Sequence, residues 1–215
     1  TDGNANYFMN IGNATVIGKV SVENVTTIGQ FGNSFIRLKT AGAEIQNLNI
    51  DNCIIDSFGV KSKYAVLYAS ASNSAKIDNI NITNSTFYYF YYFVRQDGIT
   101  GTSLNINNCT FNNMINNGGY FVNYSGTFPA TFTINNSILG NTIDPTNANG
   151  IKSSGNVTLS NTYLTSDCVF RANPITGTSY SGSAANLFTD PSNGNFRIMD
   201  NSFAGKASAG DPRWR

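Results

Sequence analysis

The chain has 215 residues, of which 40% are hydrophobic and only 12% are charged, and its formal net charge is +1. This length and apolar content allow one well-packed domain and exclude a disordered chain, and near neutrality excludes a global field that would recruit nucleic acid or a membrane. The sequence contains no histidine, which excludes a Ser-His-Asp triad and removes the commonest zinc ligand.

One short phrase recurs along the chain: an apolar residue, a polar residue, an asparagine, a small residue, any residue and a second apolar residue. A looser copy covers 22–27, and clear copies cover 50–55, 82–87, 106–111, 134–139 and 159–164. The repeated asparagines are Asn24, Asn52, Asn84, Asn108, Asn136 and Asn161. Intervals of 24 to 32 residues separate them, each with short strands bounded by turn residues. This period predicts an all-β fold, a right-handed single-stranded parallel β-helix of about seven rungs.

Stacked rungs lie about 4.8 Å apart and place equivalent residues in columns. The asparagines are expected to adopt the left-handed conformation at a bend and to pass amide hydrogen bonds from rung to rung. Cys53 and Cys109 share a column two rungs apart, too far for a disulfide, so they and Cys168 are predicted to be buried thiols. Glu44 and Lys76 align as a surface ion pair.

The second strand of each rung predicts an outward column beside inward apolar residues. Its members are Arg37, Tyr68, Arg95, Asn123, Lys152 and Arg171. Asp97 lies two residues beyond Arg95, on the same face, and Phe35, Phe93 and Phe121 lie two residues before three of the members. The column is read as a glycan-binding strip, with guanidinium forks for carboxylates and rings for sugar faces. The alternative is that long side chains only cover apolar surface there.

Carboxylates are scarce, and no catalytic residue is assigned. Glu23 and Asp51 stack just before the asparagine, at a separation that suits a catalytic pair, a Ca²⁺ site or plain solvation. No metal site or cofactor is predicted, and Ca²⁺ enters only if the chain is a lyase. The aromatic run 87–93 either stacks sugars or a partner protein, or packs under neighbouring loops.

Residues 1–185 are predicted to form the rungs, and residues 186–215 a C-terminal cap that wraps the last rung. The N-terminal segment lacks an amphipathic helix that could cover the first rung. An upstream domain of the same chain is therefore expected, or an atypical cap built from residues 1–20.

The C-terminal residues carry a resemblance to a known family. The segments Leu187–Pro191, Asn193–Phe196 and Gly210–Trp214 resemble the tail of many secreted β-helix proteins of gut Bacteroidetes. With the asparagine-anchored rungs, the chain resembles an uncharacterised branch of the pectate-lyase-like superfamily that ends in a GDPRW-type tail. The resemblance implies an exported, often lipid-anchored protein used beside glycan-degradation systems. The superfamily's calcium-binding Asp cluster with its Arg base and its paired-Asp motifs are missing from the sequence, so the resemblance implies no activity.

The leading functional hypothesis is an extracellular or outer-membrane surface protein that binds an acidic, pectin-like polysaccharide and acts as a monomer. The first alternative is a polysaccharide lyase acting on uronate polymers, with Arg95, Lys152 or Arg171 as base. The second is a structural or adhesive stalk, with Thr26, Thr86 and Thr110 forming a flat surface. The lack of histidine and of a carboxylate cluster favours binding over catalysis.

Overall fold

The computed structural model describes residues 6–28, 32–61, 63–70, 74–98, 101–152 and 156–215. The chain forms an all-β parallel solenoid of about five turns, as predicted in class but with slightly fewer turns than seven. Helix in the described ranges is limited to α1 (Ala184–Leu187) and two 3₁₀ turns, Pro191–Asn193 and Pro212–Trp214. None of these helices is long and apolar enough to cross a membrane.

Each coil contributes strands to three parallel sheets. Sheet A contains β1 (Tyr7–Ile11), β4 (Ser34–Leu38), β7 (Leu67–Ala69), β10 (Val94–Gln96), β13 (Tyr120–Tyr124) and β16 (Asn149–Lys152). Sheet B contains β2 (Val16–Ile17), β3 (Val20–Glu23), β5 (Glu44–Asp51), β8 (Lys76–Thr83), β11 (Ser103–Asn107), β14 (Thr131–Asn135) and β17 (Thr158–Ser160). Sheet C contains β6 (Ile54–Asp56), β9 (Thr86–Phe90), β12 (Thr110–Met114), β15 (Ile138–Leu139), β18 (Tyr163–Leu164) and β19 (Thr178–Ser179). A separate antiparallel pair follows, β20 (Phe188–Asp190) with β21 (Asn195–Ile198).

The predicted asparagine ladder is confirmed at the corner between sheets B and C. All six repeated asparagines have a positive φ, between 45° and 58°. Three side-chain amides donate to the asparagine one coil earlier: Asn52 to Asn24 at 2.5 Å, Asn108 to Asn84 at 3.3 Å and Asn161 to Asn136 at 2.8 Å. The other two donate to the residue just before an asparagine: Asn84 to Asp51 at 2.8 Å and Asn136 to Asn107 at 3.0 Å. The ladder is therefore continuous, with two diagonal steps.

The ladder makes glycine a better replacement than alanine at Asn108. Its φ of 54° costs a residue with a Cβ about 1–2 kcal/mol, whereas glycine adopts it freely. Both variants lose the side-chain hydrogen bonds that Asn108 makes with Asn84 and Arg215. We expect Asn108→Ala to lower the free energy of unfolding by about 2–3 kcal/mol, and Asn108→Gly to be about 1 kcal/mol more stable than that. Urea denaturation measures both, and an alanine variant at least as stable as the glycine variant would contradict the prediction.

The interior of the coil is a continuous apolar column with an aromatic centre. Phe111 lies between Phe87, Phe93 and Phe121, with ring centroids 5.5, 4.9 and 5.0 Å away. Burying such rings supplies much of the apolar stabilisation of a small core. The three phenylalanines of the aromatic run therefore point inward, and its tyrosines are half-buried at the surface.

Two smaller predictions about side-chain pairing are confirmed. Cys53, Cys109 and Cys168 are free thiols as predicted; the first two are fully buried, whereas Cys168, also predicted to be buried, is only partly buried. Glu44 and Lys76 are partners in neighbouring strands, and Lys76 Nζ lies 3.4 Å from Glu44 Oε1.

The C-terminal segment packs along sheet C. A second apolar cluster joins Ile138 of sheet C to Leu187, Phe188 and Phe196. Residues 208–215, called here the C-terminal strap, then bond to the corner of the ladder in successive coils. Their partners are Asn161, Asn136, Asn108, Thr110, Thr86 and Asn52.

The strap covers the threonine column that was predicted to form a flat surface. Thr86 and Thr110 are 0% and 1% exposed, because Asp211 of the strap bonds to both hydroxyls. The strap therefore closes that surface at Thr86 and Thr110, whereas Thr26 stays exposed.

Candidate functional site

Sheet A carries five of the six predicted column residues in register. Arg37 pairs with Tyr68, Tyr68 with Arg95, Arg95 with Asn123, and Asn123 with Lys152. Side chains in register on parallel strands lie about one strand spacing apart, roughly 4.8 Å. The two arginines are thus about two spacings apart along the solenoid.

Arg171 is not brought to this column. Its backbone N–H donates to the carbonyl of Ala148 at 2.7 Å, and the next residue bridges to Asn149. Pro174 follows three residues later and has no N–H to donate to a ladder, so the strand cannot continue to a position beside Lys152.

The predicted phenylalanines are not on this face. Phe35, Phe93 and Phe121 are all fully buried in the core. Near the start of β4, the N–H groups of Phe35 and Ile36 both donate to the carbonyl of Val66, at 2.9 and 3.0 Å. Two consecutive residues therefore turn inward, as in a bulge, and the strict alternation assumed from the sequence fails there.

Tyrosines take the place of those phenylalanines. The guanidinium carbon of Arg37 lies 5.5, 5.3 and 5.9 Å from the ring centroids of Tyr7, Tyr64 and Tyr68. That of Arg95 lies 5.0 Å from Tyr68 and 5.6 Å from Tyr92. The ring of Tyr120 lies 6.3 Å beyond Tyr92. These seven residues, called here the tyrosine–arginine strip, are Tyr7, Arg37, Tyr64, Tyr68, Tyr92, Arg95 and Tyr120.

Hydrogen bonds fix the orientation of Arg37 and Arg95 before any ligand arrives. Arg37 donates from Nη1 to Tyr7 Oη at 2.8 Å and from Nε to Ser70 Oγ at 3.1 Å. Arg95 donates from Nε to Asp97 Oδ1 at 2.6 Å and from Nη1 to the carbonyl of Lys63. Among the residues that the structure describes, none accepts a hydrogen bond from Nη2 of either arginine. Each guanidinium is thus held in place with donor capacity left over.

Asp97 has a supporting position in the strip. Its second oxygen accepts the hydroxyl of Tyr68 at 2.7 Å, while the first is paired with Arg95. Burial, reinforced by this bond to Asp97, raises the pKa of Tyr68, so the phenol remains a donor at neutral pH. Asp97 therefore orients Tyr68 and Arg95 and is not placed as a free carboxylate.

The face has an excess of positive charge. Lys39, Lys61, Lys63 and Lys152 are exposed around it, and within the described ranges Arg95–Asp97 is the only ion pair of the strip's two arginines. Asn123 is 6% exposed, and its Oδ1 has no partner in the part of the chain that the structure describes. Lys152 is separated from the strip by this buried residue.

One member of the carboxylate pair considered as a catalytic or Ca²⁺ site, Asp51, is hydrogen-bonded into the asparagine ladder. Glu23 and Asp51 are partners in neighbouring strands, as predicted. Asp51 Oδ1 already accepts Thr83 Oγ1 at 2.5 Å and the amide of Asn84. In the described ranges, no three Cys, Asp or Glu side chains come together as metal ligands would.

Sequence reasoning missed three of the five tyrosines of the strip and placed Tyr92 only in the aromatic run 87–93. Tyr92 and Tyr120 each stand three residues before a column member, and Tyr64 stands four before Tyr68. A search for rings at the corner preceding each strand would have found them. Tyr7 gave no signal, since the first coil lacks a clear copy of the repeat.

The fold and this face define a class of protein, a parallel β-solenoid with a cationic, tyrosine-lined sheet. The chain belongs to the family described as "Domain of unknown function (DUF5123)", whose family model matches residues 104–214. The match runs from β11 to the C-terminal strap and includes Tyr120, while Arg37 and Arg95 precede it. Neither the curated proteins nor the solved structures contain a match to the chain.

Proposed function

We propose that the tyrosine–arginine strip binds an acidic, pectin-like polysaccharide, and that the chain is a glycan-binding accessory protein of polysaccharide utilisation. The observation that carries this proposal is the alternation of Arg37 and Arg95 with the tyrosine rings of the strip along one sheet. Tyr68 is 8% exposed, and the other four tyrosines are half-buried. A planar guanidinium matches a carboxylate in a forked geometry, and an aromatic ring offers a flat apolar face to a sugar. Stacked coils repeat these groups along a line, which suits a linear polymer.

Preorganisation supports binding at this face. Ordering a long side chain costs about 0.5–1.5 kcal/mol on association, and Tyr7, Asp97 and Ser70 have already ordered the two arginines. Binding is favoured over catalysis because Asp97 is committed to Arg95 and Tyr68, and because a pair of carboxyl groups is the usual requirement for glycoside hydrolysis.

A second part of the proposal concerns the source of the protein and its location in the cell. We propose that the chain is an exported, monomeric member of the pectate-lyase-like β-helix proteins of gut Bacteroidetes, displayed outside the cell or on the outer-membrane surface. The parallel solenoid and the Gly210–Trp214 tail support this assignment. Detection of the full-length protein on intact cells by surface labelling would test the location.

Replacing both strip arginines is expected to weaken polymer binding strongly. We expect the double variant Arg37→Ala/Arg95→Ala to lose polygalacturonate affinity by roughly tenfold or more, because two charge-assisted contacts disappear. Isothermal titration and affinity electrophoresis measure the change, and wild-type affinity should fall as salt rises. The matched control is Arg197→Ala, an exposed arginine of β21 outside sheet A, which should bind as wild type.

Three outcomes would contradict this reading. The first is the absence of any retention of acidic glycans by the wild type, which would favour the structural stalk. The second is a double variant that binds as the wild type does. The third is new unsaturated-uronide absorbance that a chelator abolishes, which would make the chain a lyase.

A further inference from the structure

A cleft of about 390 Å³ lies beside the ends of β6, β9 and β12, away from sheet A. The 3₁₀ turn between β20 and β21 forms its other wall. Its lining includes Asp56, Tyr88, Tyr89, Asn113, Ser192 and Asn193. The volume lies in the range of pockets that hold small ligands.

The backbone of Tyr89 is in an unusual conformation at this cleft. Ser57, Tyr89 and Asn113 occupy equivalent positions in three coils, because Asp56, Tyr88 and Asn112 are strand partners. Their φ angles are 58°, 58° and 45°. Asparagine tolerates the left-handed region, but a bulky aromatic residue there is an outlier that costs free energy. Such strain persists at sites where a side chain is needed for a function.

Asp56 supplies a fixed acceptor at the base of the cleft. The carboxylate is 7% exposed and accepts Ser57 Oγ at 2.6 Å. Burial and the hydrogen bond with Asp56 raise the pKa of Tyr88 to about 12, so Tyr88 stays a neutral phenol at physiological pH. No lysine or arginine is among the described residues that line the cleft.

The remaining polar groups of the wall both donate and accept. Asn113 and Asn193 carry amides, and Ser192 carries a hydroxyl. Sugar hydroxyls also donate and accept hydrogen bonds. They can therefore pair with these amides and the serine hydroxyl, and they can donate to the carboxylate of Asp56. An ammonium ion donates only and could not accept the amide N–H of Asn113.

We propose that this cleft is a second binding site, which takes a single neutral sugar unit stacked on Tyr89 with its hydroxyls on Asp56 and Asn113. The site is independent of the tyrosine–arginine strip and differs from it in the charge of its ligand. Tyr89 is kept in its strained conformation because its ring forms one face of the cleft.

The test uses the whole chain and a panel of neutral methyl glycosides (gluco-, galacto-, xylo- and rhamnopyranosides), screened by saturation-transfer NMR. Tyr89→Asn installs the residue found at the equivalent position of Asn113. We expect this variant to lose saturation transfer while its Tm stays equal or rises by about 2 to 4 °C. Asp56→Asn should also lose binding. The Arg37→Ala/Arg95→Ala variant should keep it.

Tyr91→Asn is the matched control, because Tyr91 belongs to the same aromatic run and does not line the cleft; it should bind the glycosides as wild type does. The proposal fails if no glycoside shows saturation transfer with the wild type, or if Tyr89→Asn binds as well as the wild type. It also fails if Tyr89→Asn lowers the Tm and tetramethylammonium occupies the cleft in place of the sugar.

Discussion

Replacing Asp211 by alanine is expected to lower the free energy of unfolding by about 3–4 kcal/mol. Asp211 is 1% exposed and accepts Thr86 Oγ1 at 2.7 Å, while Arg213 Nε lies 3.2 Å from the same oxygen. Removing one partner of a buried polar pair leaves the other without compensation, which costs more than the pair contributes. The indole N–H of Trp214 donates to the same threonine, so Thr86 is shared by two residues of the strap.

Thermal and urea denaturation measure this change, with a fall in Tm of about 6 to 16 °C expected for a chain of this size. The matched control is Asp190→Ala in the same C-terminal segment, where the carboxylate accepts one exposed side-chain hydrogen bond from the described residues, that of Asn193. That change should cost less than about 1 kcal/mol. Equal losses for the two variants would show that the strap contributes nothing particular to stability.

The raised pKa of Asp211 predicts how the stability of the folded state changes with pH. Burial raises the pKa of this carboxyl above 3.8, although its hydrogen bonds and the charges of Arg213 and Arg215 oppose the shift. The folded state therefore binds a proton more readily than the unfolded state. This contribution to stability is complete below pH 3.8 and is lost as pH rises through the higher folded-state value. Relative to Asp211→Asn, the wild type should gain stability as pH falls through that window, and a loss would contradict the sign.

Replacing Phe111 by alanine is expected to lower the free energy of unfolding by about 3–5 kcal/mol. Phe111 is fully buried, and its ring is central to the aromatic core formed by Phe87, Phe93 and Phe121. Three neighbouring coils supply these rings, so the cavity cannot be filled by the movement of one side chain.

Phe111→Leu should lose much less, because it keeps most of the buried volume. Met199→Ala, at an exposed apolar side chain, should change stability by less than about 0.5 kcal/mol. Denaturant titration of the three variants measures the ranking. A Phe111→Ala loss below that of Phe111→Leu would show that the ring is not part of a packed core.

The sequence was sufficient for the periodic features and insufficient at the corners. The asparagine period predicted the stacking register, and with it the Glu44–Lys76 pair and the Arg37–Tyr68–Arg95 column. Side-chain alternation then failed at Phe35, because the start of β4, just after a corner, sends two successive residues into the core. Corners have no fixed side-chain period, so a pattern cannot show which way their residues point.

The sequence also could not predict where the C-terminal strap and the walls of the cleft would lie. The strap bonds to coils that lie between 47 and 161 residues away in sequence, from the contact with Asn161 to the contact with Asn52. Such contacts depend on how the finished solenoid presents its corner, which no local pattern encodes. The cleft beside Tyr89 is of the same kind, since β9 and the turn before β21 build it together.

The C-terminal strap has a consequence for how the chain loses its structure. A solenoid whose coils contact only their neighbours can fray from either end, one coil at a time. Here the strap joins the coil of Asn161 to the coil of Asn52 through the coils between them. The last coils cannot peel away while the strap is bound, so these coils are coupled into one cooperative unit that opens only after the C-terminus has detached.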